Sequence, residues 1–577
     1  MTHLILKNII PCLFLLISIF SCNNNQTNES VTMYFNGDII TMEGNTPVYA
    51  EAVVSKDGKI IFVGKKEEAM KAAGNNHTMV DLQGKTMLPA FLDAHSHFMN
   101  VGFTASVANL LPPPDGPGAD YTSIVNTLNQ YKNTPDGKTM FKKFGWIIGN
   151  GYDDSQLKEG DHPKASDLDK VSTTEPVIIM HQSGHLAVIN SFAMKMLGIN
   201  KVTKNPAGGK YRRNTDGSPN GVCEEAAAFG ILFPILGKGD AEANNMFIDK
   251  ALVEYAKNGY LTVQEGRATI EQVGQLTDAA NSNKFYLDVV SYPDVALKGV
   301  EEAMKSSYYN TAHQYKNKYR IGGVKLTLDG SPQGKTAWLS HPYHVPPQGE
   351  SADYKGQGVM TDKQANDFVA MAFKNKWQLL CHTNGDAAID QYLKAIDLAQ
   401  KSYNYSDHRT VLIHGQTLRK DQIPDLIRLK MIPSLFPMHT FYWGDWHLSS
   451  VLGDPRASYI SPMRDVIAAG LLPTSHHDAP VTFPNSMRVL DATINRITRS
   501  GKILGPDQRT TAYEGLKTLT DWAAIQYFEE NTKGTLTNGK LADFVILDKN
   551  PLKVNPLEIN KIKIVESIKE GKTVFKK

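Results

Sequence analysis

The stretch Leu88-Pro89-Ala90-Phe91-Leu92-Asp93-Ala94-His95-Ser96-His97-Phe98 decides how this chain is read. From Met87 to Leu92 it is apolar, the pattern of a buried strand, and it then runs out into two histidines one residue apart. Side chains alternate along a strand, so residues i and i+2 share a face, and His95 and His97 can turn both imidazoles toward one point. Neutral imidazole is the commonest protein ligand for zinc and also suits iron and nickel. An isolated His-x-His is more often a polar strand end than a ligand pair. What later strands end in therefore carries the argument.

Working outward, eight stretches read as core strands: 87–93, 261–265, 285–291, 321–328, 377–382, 410–414, 432–436 and 471–475. From the second onward, helical segments such as Thr361 to Lys374 and Ala387 to Ala399 separate them. Strands alternating with helices make parallel βαβ units, and eight of them imply a closed (β/α)₈ TIM barrel, spanning 87–534. The gap at 99–260 is too long for a loop and reads as an inserted α/β cap over the barrel mouth. Residues 31–86 and 535–577 are rich in short strands, with Asp57-Gly58 and Glu570-Gly571 as turn signals. Neither piece is large enough to fold alone, which predicts one small β-sandwich built from both chain ends.

In such barrels the chemistry sits at the C-terminal strand ends. His95 and His97 follow strand one, Lys325 lies on strand four, His382 ends strand five, His414 ends strand six, and His476-His477-Asp478 follows strand eight. Lys325, between Val324 and Leu326, faces the barrel interior and must be paired or neutralised there. It is either a carbamate, formed with carbon dioxide and able to bridge two metals, or a lysine paired with Asp329 or another acid. Asp478 is placed to bind metal and take a proton from water; its alternative is a helix cap. Of His476 and His477, at least one is structural.

His95-Ser96-His97, Gly323-Val324-Lys325 through Asp329-Gly330-Ser331, His382 with Gly385-Asp386, His414-Gly415-Gln416 and Asp478-Ala479-Pro480 together resemble the amidohydrolase superfamily, most of all amidohydrolase family 3, the YtcJ-like metal-dependent hydrolases. Trp146 to Asp153, Gly184-His185 with Asn190, and Asn538 to Asp548 carry the same resemblance. It covers nearly all of the chain beyond the leader. The chain departs from many relatives in Ile413 before His414, in the histidine pair before Asp478 and in Ser331-Pro332-Gln333, and none of these removes a ligand. The resemblance implies one or two divalent metals, zinc by default with iron or manganese as alternatives. His95, His97 and Asp478 would hold one, His382 and His414 the other, and carboxylated Lys325 would bridge them. It further implies hydrolysis of C–N bonds in amides or cyclic amides, N-substituted formamides among them, through a metal-bound hydroxide, with Asp478 and Lys325 catalytic. Tyr152, His185, Glu224 and Trp443 are the candidate substrate contacts. The rival readings are an isomerase or decarboxylase on the same metals and a non-catalytic ligand-binding lipoprotein.

With 577 residues, 41% hydrophobic and 21% charged, the chain has the composition of a large globular protein, and a net charge of +2 leaves no basic footprint for nucleic acid. The expected partner is a small-molecule substrate. Residues 1–22 read as an export signal: Lys7, an apolar run from Ile9 to Phe20, then Ile19-Phe20-Ser21-Cys22, which resembles a lipobox. Residues 23–30 form a polar tether. The expectation is an exported bacterial protein, periplasmic or anchored at the outer membrane through a lipid on Cys22. Of the 4 cysteines, Cys223 and Cys381 lie outside the leader, far apart in sequence, and are expected as free thiols.

Overall fold

The computed structural model describes residues 31–347 and 349–577. The leader, Cys22 and the tether lie outside the described residues. Among those described, no helix is long and apolar enough to cross a membrane, and Cys223 and Cys381 are buried free thiols.

The central strands are β1 (Phe91–Leu92), β2 (Tyr260–Ala268), β3 (Asp288–Pro293), β4 (two segments, Tyr319–Ile321 and Val324–Thr327), β5 (Leu379–Thr383), β6 (Val411–His414), β7 (Ile432–Leu435) and β8 (Thr474–Ser475). They pair in parallel in chain order, in two arcs, β1 to the first half of β4 and the second half of β4 to β8. This is the arrangement of a TIM-barrel-type α/β fold. The first seam falls at Gly322-Gly323, where a Cβ would sit 2.6 Å from the Val290 side chain and 2.2 Å from the Gln378 carbonyl. Backbone hydrogen bonds still cross it, Val295 N–H to the Lys325 carbonyl at 2.7 Å among them. The second seam is crossed by the metal-competent loops themselves: Asp478 N–H donates to the His95 carbonyl at 3.1 Å and His97 N–H to the Ala479 carbonyl at 2.8 Å. The helices expected around Thr361 and Ala387 are Asp362–Lys374 and Asp386–Ser402, the first opened by a reciprocal Thr361–Gln364 capping box.

The expected first strand is divided. Thr86–Pro89 pairs with Phe544–Leu547 and with the strand Val31–Ile40, whereas Phe91–Leu92 pairs with β2. One apolar run thus serves two sheets, and the switch falls at Ala90, whose N–H goes to the Asp543 carbonyl while that of Phe91 goes to Gly259. The two chain ends join as one continuous hydrogen-bonded sheet of 8 strands rather than as two separate sheets. Its apolar face holds Tyr34, Ile39 and Val53 from one end against Phe544, Ile546 and Ile568 from the other.

The insert carries a 6-stranded sheet. Successive residues of its inner strands alternate between two cores: Ile147, Ile179 and Val188 on one side, Ile148, Ile178 and Ala187 on the other. Its last helix, Ala241–Lys257, belongs to both bodies, with Ala243 and Phe247 in the cap core and Ile248, Leu252 and Tyr255 in the barrel core.

Candidate metal centre

The C-terminal ends of β1, β4, β5, β6 and β8 converge on a cavity of about 360 Å³ lined by His95, His97, Lys325, His382, His414 and Asp478. A larger cavity of about 1000 Å³, lined by Leu339, Arg419 and Tyr459 among others, contains none of these six, so volume alone does not locate the chemistry.

Hydrogen bonds on the far side of each ring fix what it offers to the centre. Gln264 donates through Nε2 to the Ala94 carbonyl at 3.1 Å, which leaves its Oε1 as the acceptor, 2.7 Å from His95 Nδ1. His95 therefore carries its proton on Nδ1 and turns a lone pair on Nε2 inward. His382 donates from Nε2 to the Gly330 carbonyl at 3.0 Å and turns Nδ1 inward. His414 meets His476 through Nδ1 at 3.0 Å, and His476 in turn meets the Ser434 hydroxyl at 3.1 Å, which directs His414 Nε2 inward. The inward nitrogens of His382 and His414 lie 2.9 Å apart. Contact at that distance needs either a proton on one of the two nitrogens or a cation shared by both. Asp478 Oδ1 is buried without a hydrogen bond, 3.2 Å from His97 Nε2 and 3.6 Å from His95 Nε2. This donor set, imidazole and carboxylate with committed outer partners, fits a divalent transition metal. His95, His414 and Asp478 bring ligand atoms within 4.8 Å of one another, a trio that spans both of the expected metal subsites.

His414 and Asp478 both hold left-handed backbone, at φ 73° and 52°. Non-glycine residues pay for that conformation, and such strain gathers at functional sites.

Lys325 is buried, with Nζ 3.0 Å from His95 Nε2. The alternative pairing with Asp329 is not made: Asp329 instead accepts backbone N–H groups from Asn384, Gly385 and Trp338 at 2.9, 2.7 and 3.0 Å. Burial outweighs the nearby Asp478 carboxylate and brings the Lys325 amine down to about 7. Burial also lowers His97, but Asp478 and Glu265 outweigh it and raise the ring to about 9.

Other expected residues separate. His476 orients His414, while His477 points away, with Nε2 3.3 Å from buried Asp93. His185 lines both the metal cavity and an adjoining one of about 580 Å³, and Trp443 lines the second. Tyr152, expected against substrate, is instead buried in the cap core with its hydroxyl 3.0 Å from His162 Nδ1. Glu224 pairs with Arg212 across the cap hairpin; its neighbour Glu225 lines the adjoining cavity and meets His185 Nδ1 at 3.0 Å. The strand Pro219–Glu225 turns alternate side chains to opposite faces, and one residue decides which acid reaches the cleft.

The sequence reading missed Gln264, Glu265 and His439. Gln264 and Glu265 sit at the centre of an apolar strand, where nothing marks them before the fold brings β1 alongside. His439 stands in the aromatic-rich segment Phe436 to Trp446 and reads there as packing. In the cap, Asp153, Asp154 and His181 also bring ligand atoms together. There His181 Nδ1 meets the Ser183 hydroxyl at 2.8 Å and its Nε2 lies 3.0 Å from Asp154 Oδ1. That is an ion pair, and the two carboxylates overcome burial to raise His181 to about 8.

The chain is 24% identical over 568 residues to YtcJ of Bacillus subtilis, which carries an amidohydrolase designation, covering 94% of this chain and 99% of the other. It is 23% identical over 554 residues to the N-substituted formamide deformylase of Arthrobacter pascens, covering 93% and 97%. In fold it is similar to the crystal structure of an uncharacterized metal-dependent hydrolase from Pyrococcus horikoshii, with a TM-score of 0.72 at 23% identity over 91% of this chain and 99% of that one. The model of the Amidohydrolase family matches residues 78–575, and the chain belongs to that family of hydrolases.

Proposed function

We propose that this protein is a metal-dependent hydrolase of C–N bonds in amides or cyclic amides, with N-substituted formamides as the first class to try. The observation that carries the reading is the convergence of three inward imidazole nitrogens, the unbonded Asp478 oxygen and the buried Lys325 on one cavity. The named activity of the Arthrobacter relative supports the choice of substrate class.

Divalent ions held by His95, His97, His382, His414 and Asp478, zinc first among them, would acidify a water and polarise the substrate carbonyl. Asp478 would take a proton from the attacking water and pass it to the leaving nitrogen. Lys325 is read as a carbamate joining the two halves of the site. Its amine can attack carbon dioxide only when neutral, with loss of one proton, and burial, which outweighs the nearby Asp478 carboxylate, favours that form. The eight strands are read as one closed barrel, with the cap walling the substrate space. Export and anchoring through Cys22 belong to the same proposal; the mass of the mature N-terminal peptide decides between a lipidated Cys22 and a plain cleaved signal.

Elemental analysis of the purified protein beside Lys325→Ala tests the centre. About two transition metals per chain, falling in the variant, is the expected result. One metal unchanged in the variant makes Lys325 structural. No metal after reconstitution with zinc, iron or manganese ends the hydrolase reading. A panel of formamides, amides and cyclic amides, with products identified by mass, separates hydrolysis from isomerisation or decarboxylation.

A further inference from the structure

Besides His185, the metal cavity has in its wall an imidazole that holds no place in the ligand set. His439 lies in the first turn of the helix Met438–Trp446, just after β7, and lines the cavity with the five ligands and Lys325. It is buried, with its ring between Phe436 and Trp443, both at 4.7 Å between centroids. Packing on two sides leaves the ring little freedom. Its Nδ1 is 2.9 Å from Nε2 of His447, two helical turns on. His439 Nε2 has no protein partner among the described residues.

The proton on this pair can be located. His447 is fully buried and its Nδ1 has no hydrogen-bond partner. If the His447 proton were on Nδ1, a buried N–H would be left without an acceptor, the rarer and costlier kind of orphan. With the proton on Nε2, the orphan at Nδ1 is only a lone pair, and Nε2–H donates to His439 Nδ1. A neutral His439 then carries its own proton on Nε2. Burial holds both rings below the ordinary histidine range, His447 at about 3, so each carries a single proton at neutral pH.

We propose that His439 is a substrate-contacting catalytic residue whose Nε2–H, fixed by His447 behind it, donates to the carbonyl oxygen of the scissile amide as charge develops there. His447 is a positioning residue. A donor set in advance on a developing oxyanion stabilises the transition state more than the ground state. The role rests on the hydrolase reading above, whereas the position of the proton does not.

Two measurements on the metal-loaded, full-length enzyme decide it. Neutron diffraction after deuterium exchange should show deuterium on Nε2 of both His439 and His447; deuterium on His439 Nδ1 overturns the proposal. In kinetics with the best amide from the panel, His439→Ala should lower kcat by about 100-fold or more, with KM little changed and metal content and melting temperature at parental values. His439→Gln, which restores an N–H donor, should recover part of that loss. His447→Phe should lower kcat by a smaller factor at unchanged KM, because the ring in front loses its fixed tautomer. Parental kcat in His439→Ala overturns the role. A parent enzyme that hydrolyses no amide removes the hydrolase reading and the carbonyl role together, and the neutron map still decides the proton, so the two failures are told apart.

Discussion

His382 and His414 show how much of this site is decided by single hydrogen bonds. Gly330 O and His476 take one nitrogen of each ring, and the remaining nitrogens are left facing one another at 2.9 Å. Nothing in either residue's type says which nitrogen turns inward; the partner behind it does. The same logic applies far from the centre. His408 is buried, and Thr410 N–H donates to its Nδ1 at 3.0 Å, so that nitrogen is not free to take a proton. Burial, the main cause, brings the ring down to about 4. The unfolded chain binds a proton near 6.5, so it gains protons over the folded state as pH falls from 6.5 toward 4. The stabilising contribution of neutral His408 is therefore full above pH 6.5 and lost as pH falls through about 4. Urea denaturation at pH 7 and pH 4 should show the parent losing about 3 kcal/mol more than His408→Gln between the two. Equal losses would mean that the ring protonates in place without cost.

At the scale of elements, the centre depends on how closely β2 passes the loop after β1. Gly266 N–H donates to the Ser96 carbonyl at 2.7 Å, and a Cβ on Gly266 would lie 2.4 Å from His95 Cε1 and 2.5 Å from its Nδ1. The ring cannot keep its bond to Gln264 and also make room for a methyl group. Gly266→Ala should therefore weaken metal binding by roughly 10- to 100-fold, the usual cost of disturbing a ligand's outer partner, while the chain still folds. Metal retained against a graded series of chelators measures it, with the melting temperature as the control for folding. Retention equal to the parent's would show that His95 has slack to move. The position of this glycine carries no mark in the sequence. It stands after Gln264-Glu265 in a strand whose only legible property is that it is buried.

The whole molecule is held together by charge as well as by its core. Asp288, the first residue of β3, accepts from Lys533 Nζ at 2.7 Å and from Lys569 Nζ at 2.5 Å, and Lys569 also reaches Asp543 at 2.6 Å. Lys569 and Asp543 belong to the terminal sheet region, so this buried cluster ties the sheet to the bottom of the barrel. Burial raises Asp288, but the two lysines outweigh it and hold the carboxyl below the usual range. Its contribution is thus full above that range and lost as pH falls below it toward the lowered folded value. Asp288→Ala should cost about 3–5 kcal/mol, because two buried ammonium groups lose a shared counter-charge. Denaturant titration at neutral pH measures it; a cost under about 1 kcal/mol would mean that Asp543 beside Lys569, and Glu529 at 2.5 Å from Lys533 Nζ, suffice as counter-charges. The residues of this network are scattered from 288 to 569, and no spacing in the sequence links them. What the sequence determined by itself was periodic or local: alternating apolar strands and helices, the turns, and histidines recurring at strand ends, which together pointed to a TIM-barrel-type fold and to six residues that line one cavity in the structure. Tertiary structure alone decided the division of one apolar run between two sheets at Ala90, the choice of Glu225 over Glu224 at the cleft, the burial of Tyr152, and the hydrogen bonds by which Gln264, Gly330 and His476 set the face each imidazole shows. The physical reason is range: periodicity is written in neighbouring residues, whereas a hydrogen-bond partner 30 to 170 positions away exists only once the chain has closed on itself.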